Sequence, residues 1–205
     1  MGFGFGSFSK AWSAVKNTGV NPGAKAVAQG VLSLSDEFAL ALQASRRTTY
    51  KTLRGAVGAV TDEFEKKAGL YLMKDQGRAL IGVVDDGVRK VLGIPKNSPP
   101  NTILGRAPDY LSVTKGNKLA LSEVKGGSEI DIEDTLKQLQ NAMDKLKEKN
   151  LAGEVERVEI IMKKFDSKFK NSNLSIKDGY LYDMLDHVTI NIKGFPLLFV
   201  KIIQI

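Results

Sequence analysis

The stretch APDYLSVTKGNKLALSEVKGG, from Ala107 to Gly127, decides how the second half of the chain folds. Apolar residues alternate with small or polar ones on both sides of Lys115-Gly116-Asn117, which is the pattern of a β-hairpin. Two registers are open. A two-residue turn at Gly116-Asn117 would place Asp109 opposite Val124, whereas a three-residue loop from Lys115 to Asn117 would place it opposite Glu123.

The apolar residues distinguish these registers, because a slip of one residue turns every side chain to the other face. With the three-residue loop, one face collects the apolar residues and three charged ones, namely Leu111, Val113, Leu119, Leu121, Asp109, Glu123 and Lys125. The opposite face is then smaller or more polar on average. The shorter turn leaves no clean apolar face. We therefore predict the three-residue loop, with Gly116 or Asn117 supplying a positive φ.

This register has an electrostatic consequence at the end of the hairpin. Asp109 and Glu123 would lie roughly 5 Å apart as a cross-strand pair. Two carboxylates at that separation repel each other, and the pKa of one of them rises unless a positive charge lies between them. Lys125 on the same face supplies one such charge. A divalent cation would supply more, and hard oxygen ligands favour Mg²⁺ or Mn²⁺.

The flanking sequence predicts an α/β fold, a mixed sheet with helices packed on it. From Asn21 to Leu92 the apolar residues recur at helical spacing, with the last stripe formed by Leu80, Val84, Val88 and Val91. Three prolines in the segment 93–100 interrupt this pattern. After the hairpin we predict a helix over 131–149 and strands over 155–165 and 187–205. The predicted division is a helical region at residues 1–95, whose last helices can join the core, and a sheet-containing core at residues 101–205.

Composition excludes several classes of function. The chain has 205 residues, no cysteine, a net charge of +7 and one histidine, His187. Thiolate metal sites and paired histidines are therefore excluded, and we interpret His187 as structural. No apolar run approaches the roughly 20 residues that span a bilayer. Residues 1–100 carry 14 Lys/Arg and 8 Asp/Glu, and this basic half suits a polyanionic partner, although a solvated helical surface explains it equally well.

Pro108-Asp109, followed by Glu123-Val124-Lys125 on the next strand and then by a helix, resembles the PD-(D/E)xK nuclease superfamily. The resemblance covers residues 105–145 and implies a restriction-endonuclease-like core with an N-terminal helical region. It also implies that Asp109 and Glu123 bind Mg²⁺ or Mn²⁺ and that Lys125 positions the attacking water and stabilises charge on phosphorus. The expected activity is metal-dependent phosphodiester hydrolysis. The alternative is a hairpin whose charges merely end its strands.

The family often adds an acidic residue from a helix before the hairpin and a polar residue from the helix after it. Glu63 and Asp85 are the candidates for the first role, with Glu63 preferred, although each is also explained as a solvated helix charge. For the second role we select Gln140, which lies roughly 80° from the centre of the apolar stripe, whereas Gln138 is predicted to point away.

The resemblance extends to partners and setting. DNA is the favoured substrate and tRNA the alternative. The basic helical leader and C-terminal catalytic module resemble toxins of contact-dependent inhibition, which are delivered into the cytoplasm of competitor cells and neutralised by a cognate immunity protein. A cytoplasmic housekeeping nuclease is the alternative setting, and a non-enzymatic nucleic-acid- or protein-binding module is the rival class. A run of lysines follows the strand predicted over 155–165, namely Lys163, Lys164, Lys168 and Lys170. These lysines are explained equally well as contacts to a nucleic-acid backbone and as part of an ordinary solvated loop.

Overall fold

The computed structural model describes residues 57, 60–95, 106–116, 118–164, 167–171 and 173–205. These residues form a mixed α/β structure. Its helices are α1 (Glu63–Lys74), α2 (Val84–Leu92) and α3 (Ile132–Glu148). Its strands are β1 (Ala79–Val83), β2 (Tyr110–Val113), β3 (Leu119–Lys125), β4 (Glu129–Ile130), β5 (Val155–Met162), β6 (Lys168–Phe169), β7 (Leu174–Lys177), β8 (Tyr180–Asp183), β9 (Val188–Thr189), β10 (Asn191–Ile192) and β11 (Phe195–Gln204).

The hairpin has the predicted register. Tyr110 pairs with Ser122 and Val113 with Leu119, and the ladder closes where the Thr114 N–H donates to the Lys118 carbonyl at 2.8 Å. Three positions therefore separate the paired strand ends, and Asn117, the last of them, lies outside the described residues. The prediction from the apolar alternation is confirmed, because only this register sends Leu111, Val113, Leu119 and Leu121 into one core.

Nine strands of the described chain form one sheet, in the order β1-β2-β3-β5-β11-β8-β7, with β9 on β8 and β10 on β11. The neighbours of β5 on both sides, β3 and β11, run parallel to it, and the other pairs are antiparallel. The crossover from β3 to β5 is made by α3. Parallel neighbours require such a crossover, and it brings the carboxyl ends of β3 and β5 to the same edge of the sheet.

Helix α3 follows its sequence closely. The Asp131 side chain caps it by accepting from the Asp134 N–H at 3.3 Å, and Lys149 ends it. Leu139, Met143 and Leu146 on its inner face are fully buried against the hairpin's apolar face, in a core that also includes Val88 and Leu92 of α2. Burial of such a face supplies most of the stability of a helix of this length.

The other face of the hairpin, whose residues are smaller or more polar on average, is also buried. Helix α1 covers it, with Phe64, Ala68 and Leu72 packed against Tyr110 and Val124. The Asp62 side chain caps α1 by accepting from the N–H groups of residues 64 and 65. The central strands are thus enclosed between α1 on one side and α2 with α3 on the other.

The predicted helical pattern breaks at residues 79–83, which form strand β1 rather than the start of a third helix. The short run ALIGV is apolar throughout, and periodicity alone does not separate a buried strand from a buried helix turn in so short a run. Strand β1 pairs with β2, so the two predicted regions share one sheet. No described helix is long and apolar enough to span a membrane.

Candidate active site

Three of the predicted site residues meet where the hairpin opens. Asp109 lies one step beyond the Tyr110–Ser122 pair in the same register, and its Oδ2 accepts from the Val124 N–H at 2.7 Å. Lys125 lies on β3 two residues after Glu123, and its ammonium donates to Glu123 Oε1 at 2.5 Å. The Glu123 side chain is 4% exposed and that of Lys125 is 28% exposed, so the lysine connects a buried acid to solvent.

The segment that carries Asp109 is held from both sides. The Ala107 N–H donates to Asp85 Oδ1 of α2 at 3.2 Å, and the Asn141 amide of α3 donates to the Arg106 carbonyl at 2.8 Å. Strand β1 passes into α2 without a loop through Val84, whose φ of 54° is unfavourable for a β-branched residue. This turn brings Asp85 next to the start of β2. Two helices therefore fix the backbone from which Asp109 projects.

The electrostatics of the pair are those of two crowded acids. Burial raises the pKa of Asp109 well above its usual value, and the negative charge of Glu123 raises it further. Burial also raises the pKa of Glu123, against the opposing effect of Lys125. One ammonium group does not compensate two desolvated carboxylates. Burial and mutual repulsion therefore both favour the protonated form of Asp109, and a cation at this position would have the opposite effect.

The helix after the hairpin contributes a different glutamine from the one predicted. The end of the Gln138 side chain lies against the Glu123 carboxylate and, with its amide nitrogen turned toward the acid, donates to both oxygens, at 3.2 Å to Oε2. That orientation is the one its neighbours require, since an amide oxygen there would face only acceptors. Gln140 lies elsewhere. It donates to Asp144 Oδ1 and to the Lys193 carbonyl, in a groove with Leu136 and Ile192.

The error in the helical projection has a physical cause. We centred the buried face of α3 on its large apolar residues, but Thr135 and Ala142 are also fully buried. At about 100° per residue, both lie on the Gln138 side of Leu139. Including them rotates the buried face toward Gln138. Leu136 on the opposite flank is only partly buried.

The upstream acids also differ in position from the prediction. The structure does not bring Glu63 to the site, because its side chain is 83% exposed and pairs with Lys66 at 3.5 Å. Glu65 on the same helix is the acid that interacts electrostatically with Asp109 and Lys125. Its backbone carbonyl accepts from the Tyr110 hydroxyl at 2.8 Å, which fixes that turn of α1 beside the hairpin.

Asp85, the other upstream candidate, lies on the opposite side of the sheet from Glu65. Its negative charge raises the pKa of Glu123, so it is within the electrostatic reach of the site. It also accepts from the Ala107 N–H, and it forms an ion pair with Arg89 at 3.2 Å. Asp85 is therefore already engaged in holding the segment before Asp109.

Gly126, the residue after Lys125, lies against Phe64 of α1. A Cβ atom at Gly126 would lie 3.2 Å from the Phe64 ring, so a larger residue there would require the ring to shift by a few tenths of an ångström. Lys163 follows β5 at the same edge of the sheet, and its ammonium lies 5.7 Å from the centre of that ring. His187, by contrast, lies in an exposed turn before β9.

The donor set fits a hard divalent cation in part. Asp109 and Glu123 offer carboxylate oxygens in a desolvated position, and Mg²⁺ is commonly held by one or two carboxylates with water and substrate phosphate. Within the part of the chain that the structure describes, no group of three or more His, Cys, Asp or Glu side chains is arranged to hold a metal ion. These two acids would therefore supply a minority of the ligands, with water and substrate supplying the rest.

Comparison of the chain with protein-family models, with curated proteins and with solved structures found no match.

Proposed function

We propose that this protein is a metal-dependent nuclease that hydrolyses phosphodiester bonds, with Asp109, Glu123 and Lys125 as its catalytic residues. One observation carries the proposal. Two buried carboxylates, Asp109 and Glu123, lie opposite each other at the end of neighbouring strands with Lys125 bonded to one of them, and burial raises the pKa values of both acids. A decorated strand end would leave such charges in water, where they cost little.

The residues divide the chemistry among them. Asp109 and Glu123 would hold Mg²⁺, which when bound lowers the pKa of its water and offsets negative charge on the phosphate. Lys125, which already contacts Glu123, orients the attacking water and donates to the phosphoryl oxygens as their charge grows. Gln138 donates to Glu123 and holds its carboxylate in one orientation.

Nucleic acid is the proposed substrate, because its phosphodiesters match both the site and the charge of the chain. The net charge is +7, and Lys163 and Lys168 lie near the same edge of the sheet as Lys125. Lys168 is placed there by the pairing of β6 with β4, immediately after the Gly126-Gly127 turn. Lysines in these positions would contact phosphates that flank the scissile one. We place DNA first and tRNA second among the substrates.

The test is digestion of supercoiled plasmid and of total tRNA by the purified full chain, with Mg²⁺ or with EDTA. We expect cleavage that requires Mg²⁺ and that falls by about 10²–10³-fold in Lys125→Ala, the loss typical of one transition-state donor. Lys147→Ala is the matched control, because Lys147 is an exposed lysine in the last turn of α3.

Cleavage that persists in EDTA, or that Lys125→Ala leaves intact, would refute the assignment of this site. Absence of cleavage of both substrates by a folded, Mg²⁺-binding protein would favour the rival class, a binding module without catalysis.

A further inference from the structure

The sheet has one half that the described helices do not cover. Helix α1 packs over β2, β3 and β5 and reaches the end of β11 at Ile203 and Ile205. Further along the sheet, on that same side, Tyr180 is 37% exposed, Phe199 is 40% exposed and Leu197 is 90% exposed. We refer to the side chains on this side of β7, β8 and β11 that α1 does not cover as the open face, and they are Ser175, Lys177, Tyr180, Tyr182, Leu197, Phe199 and Lys201.

Register shows that these side chains share one side of the sheet. Tyr180 pairs with both Lys177 and Lys201, and paired residues point the same way. Lys201 pairs in turn with Glu159, whose neighbours Val158 and Ile160 point into the core on the other side. The alternate residues Leu181, Val200 and Ile202 lie in that same core.

The open face combines aromatic rings with positive charge. The rings of Tyr180 and Phe199 meet edge to face, with centroids 6.4 Å apart and planes 77° apart. The Lys177 ammonium lies 4.6 Å from the centre of the Tyr182 ring. None of the side chains of the open face is acidic, and the adjoining residues of β9 and β10 on this side are Thr189 and Asn191. A cationic, aromatic surface of this kind is complementary to an anionic ligand with flat apolar rings.

We propose that the open face binds single-stranded nucleic acid, with unpaired bases stacked on Tyr180, Tyr182 and Phe199 and phosphates contacted by Lys177 and Lys201. Aromatic side chains on an exposed sheet stack successive bases with little regard to sequence, because every base has a flat face. A duplex cannot make these contacts, since its bases are already stacked on each other. The ligand class is therefore an unpaired polynucleotide, either RNA or DNA.

The open face lies on the α1 side of the sheet, whereas Glu123, which pairs with Ile160 of the opposite core, points to the α3 side. Lys201 of β11 pairs with Glu159 of β5, and Glu159 pairs with Ser122 of β3, the residue before Glu123. Three strand spacings separate β8 from β3, which is about 14 Å along the sheet. Binding at this surface needs neither a metal ion nor cleavage, so it does not depend on the proposed function.

The test is fluorescence anisotropy in EDTA with labelled single strands of about 12 nucleotides, one oligo-U RNA and one oligo-dT DNA, and with a duplex of the same length. We expect the full chain to bind the single strands more tightly than the duplex. Phe199→Leu keeps the apolar bulk but removes the ring, and it should weaken single-strand binding about tenfold. Phe199→Tyr keeps the ring and should bind as the unmodified protein does. The RNA and DNA arms decide which of the two the surface prefers.

Salt dependence gives a second readout that a folding defect does not mimic. Removing both lysines, Lys177→Ala with Lys201→Ala, should reduce the slope of log affinity against log salt by about 1.4, at about 0.7 per phosphate contact. Lys74→Ala with Lys147→Ala removes the same charge from exposed lysines in the last turns of α1 and α3, and should leave the slope unchanged.

Three results would overturn the proposal. One is duplex binding as tight as single-strand binding, and another is a Phe199→Leu variant that binds normally. The third is self-association of the unmodified chain that Phe199→Leu abolishes, which would assign the open face to a protein contact. Loss of plasmid or tRNA cleavage in Lys125→Ala bears only on the catalytic centre, so failure of either proposal is distinguishable from failure of the other.

Discussion

Two buried clusters of charge lie on neighbouring strands, and they are organised in opposite ways. Glu159 of β5 is completely buried, and both of its oxygens accept from the guanidinium of Arg78, with a further hydrogen bond from Ser122 Oγ at 3.1 Å. One anion meets one cation, and the bidentate geometry satisfies the carboxylate. This pair lies under α1 and faces no solvent.

The cluster on β3 has the opposite balance. Glu123 and Asp109 share one lysine, and burial raises the pKa values of both acids. The cluster also reaches solvent through Lys125. Burial of an acid does not by itself indicate function. A matched pair holds the fold together, whereas an excess of like charge at an accessible edge calls for a ligand of the opposite sign.

The largest expected effect is on stability, at the matched pair. Arg78→Ala would leave Glu159 buried without its cation, and we expect the free energy of unfolding to fall by about 3–5 kcal/mol. Urea unfolding followed by circular dichroism measures it. Replacing both partners with apolar residues, Arg78→Met with Glu159→Leu, should recover much of the loss. If Arg78→Ala lowers the free energy of unfolding by less than about 1 kcal/mol, the Arg78–Glu159 pair does not stabilise the fold.

The next effect is on metal binding, at the unmatched pair. Gln138 supplies Glu123 with a neutral donor, and residues that orient a metal ligand are commonly worth 10-fold or more in affinity. We expect Gln138→Ala to raise the Mg²⁺ concentration needed for half-maximal cleavage by about tenfold. Gln140→Ala is the matched control and should have no such effect, because Gln140 bonds to Asp144 and to the Lys193 carbonyl. A larger effect of Gln140→Ala than of Gln138→Ala would instead support Gln140, the residue predicted from the sequence.

The sequence pattern correctly predicted the features that depend on a single strand pair or on a single helix face. The alternation around Lys115-Gly116-Asn117 predicted the register, because a single slip would have exposed the whole apolar face. The register in turn placed Asp109 beside Glu123. Helix α3 ended within a residue of its predicted bounds because Asp131 caps it and its apolar spacing is regular.

The features that pattern did not predict depend on contacts between distant segments. Arg78 and Glu159 are 81 residues apart, and nothing local to either residue indicates the pair. Gln138 was misplaced because burial of Thr135 depends on what α3 packs against. Strands β7 and β8, with burial that alternates only weakly, were missed because each has four residues and lies near the edge of the sheet.

A smaller effect tests the excess of negative charge directly. The pKa of Asp109 is raised in the folded state, so the stability linked to this group is greatest below its ordinary pKa and is lost as the pH rises through the raised value. Asp109→Asn removes the charge and keeps an oxygen that can accept from the Val124 N–H. We expect this variant to melt at a higher temperature near neutral pH, by about 2–4 °C for each kcal/mol gained.

Two controls separate this effect from a general one. The gain should shrink as the pH falls toward about 4, where the aspartate of the unmodified protein is protonated as well. Mg²⁺ should raise the melting temperature of the unmodified chain but not that of Asp109→Asn, since a ligand stabilises only the state that binds it. A variant less stable than the unmodified protein at neutral pH would show that Asp109 is compensated after all.

The smallest effect concerns the two glutamates of α1. The charge of Glu65 raises the pKa of Asp109, so Glu65→Gln should lower that pKa and move the acidic limb of the cleavage–pH profile to lower pH. Glu63→Gln removes the same charge two residues away, where the side chain is exposed and pairs with Lys66. Solvent screens such a charge, so its profile should not move. Equal shifts in both variants would mean that the pKa of Asp109 depends on the total charge of α1. Glu65 would then have no specific electrostatic effect on Asp109.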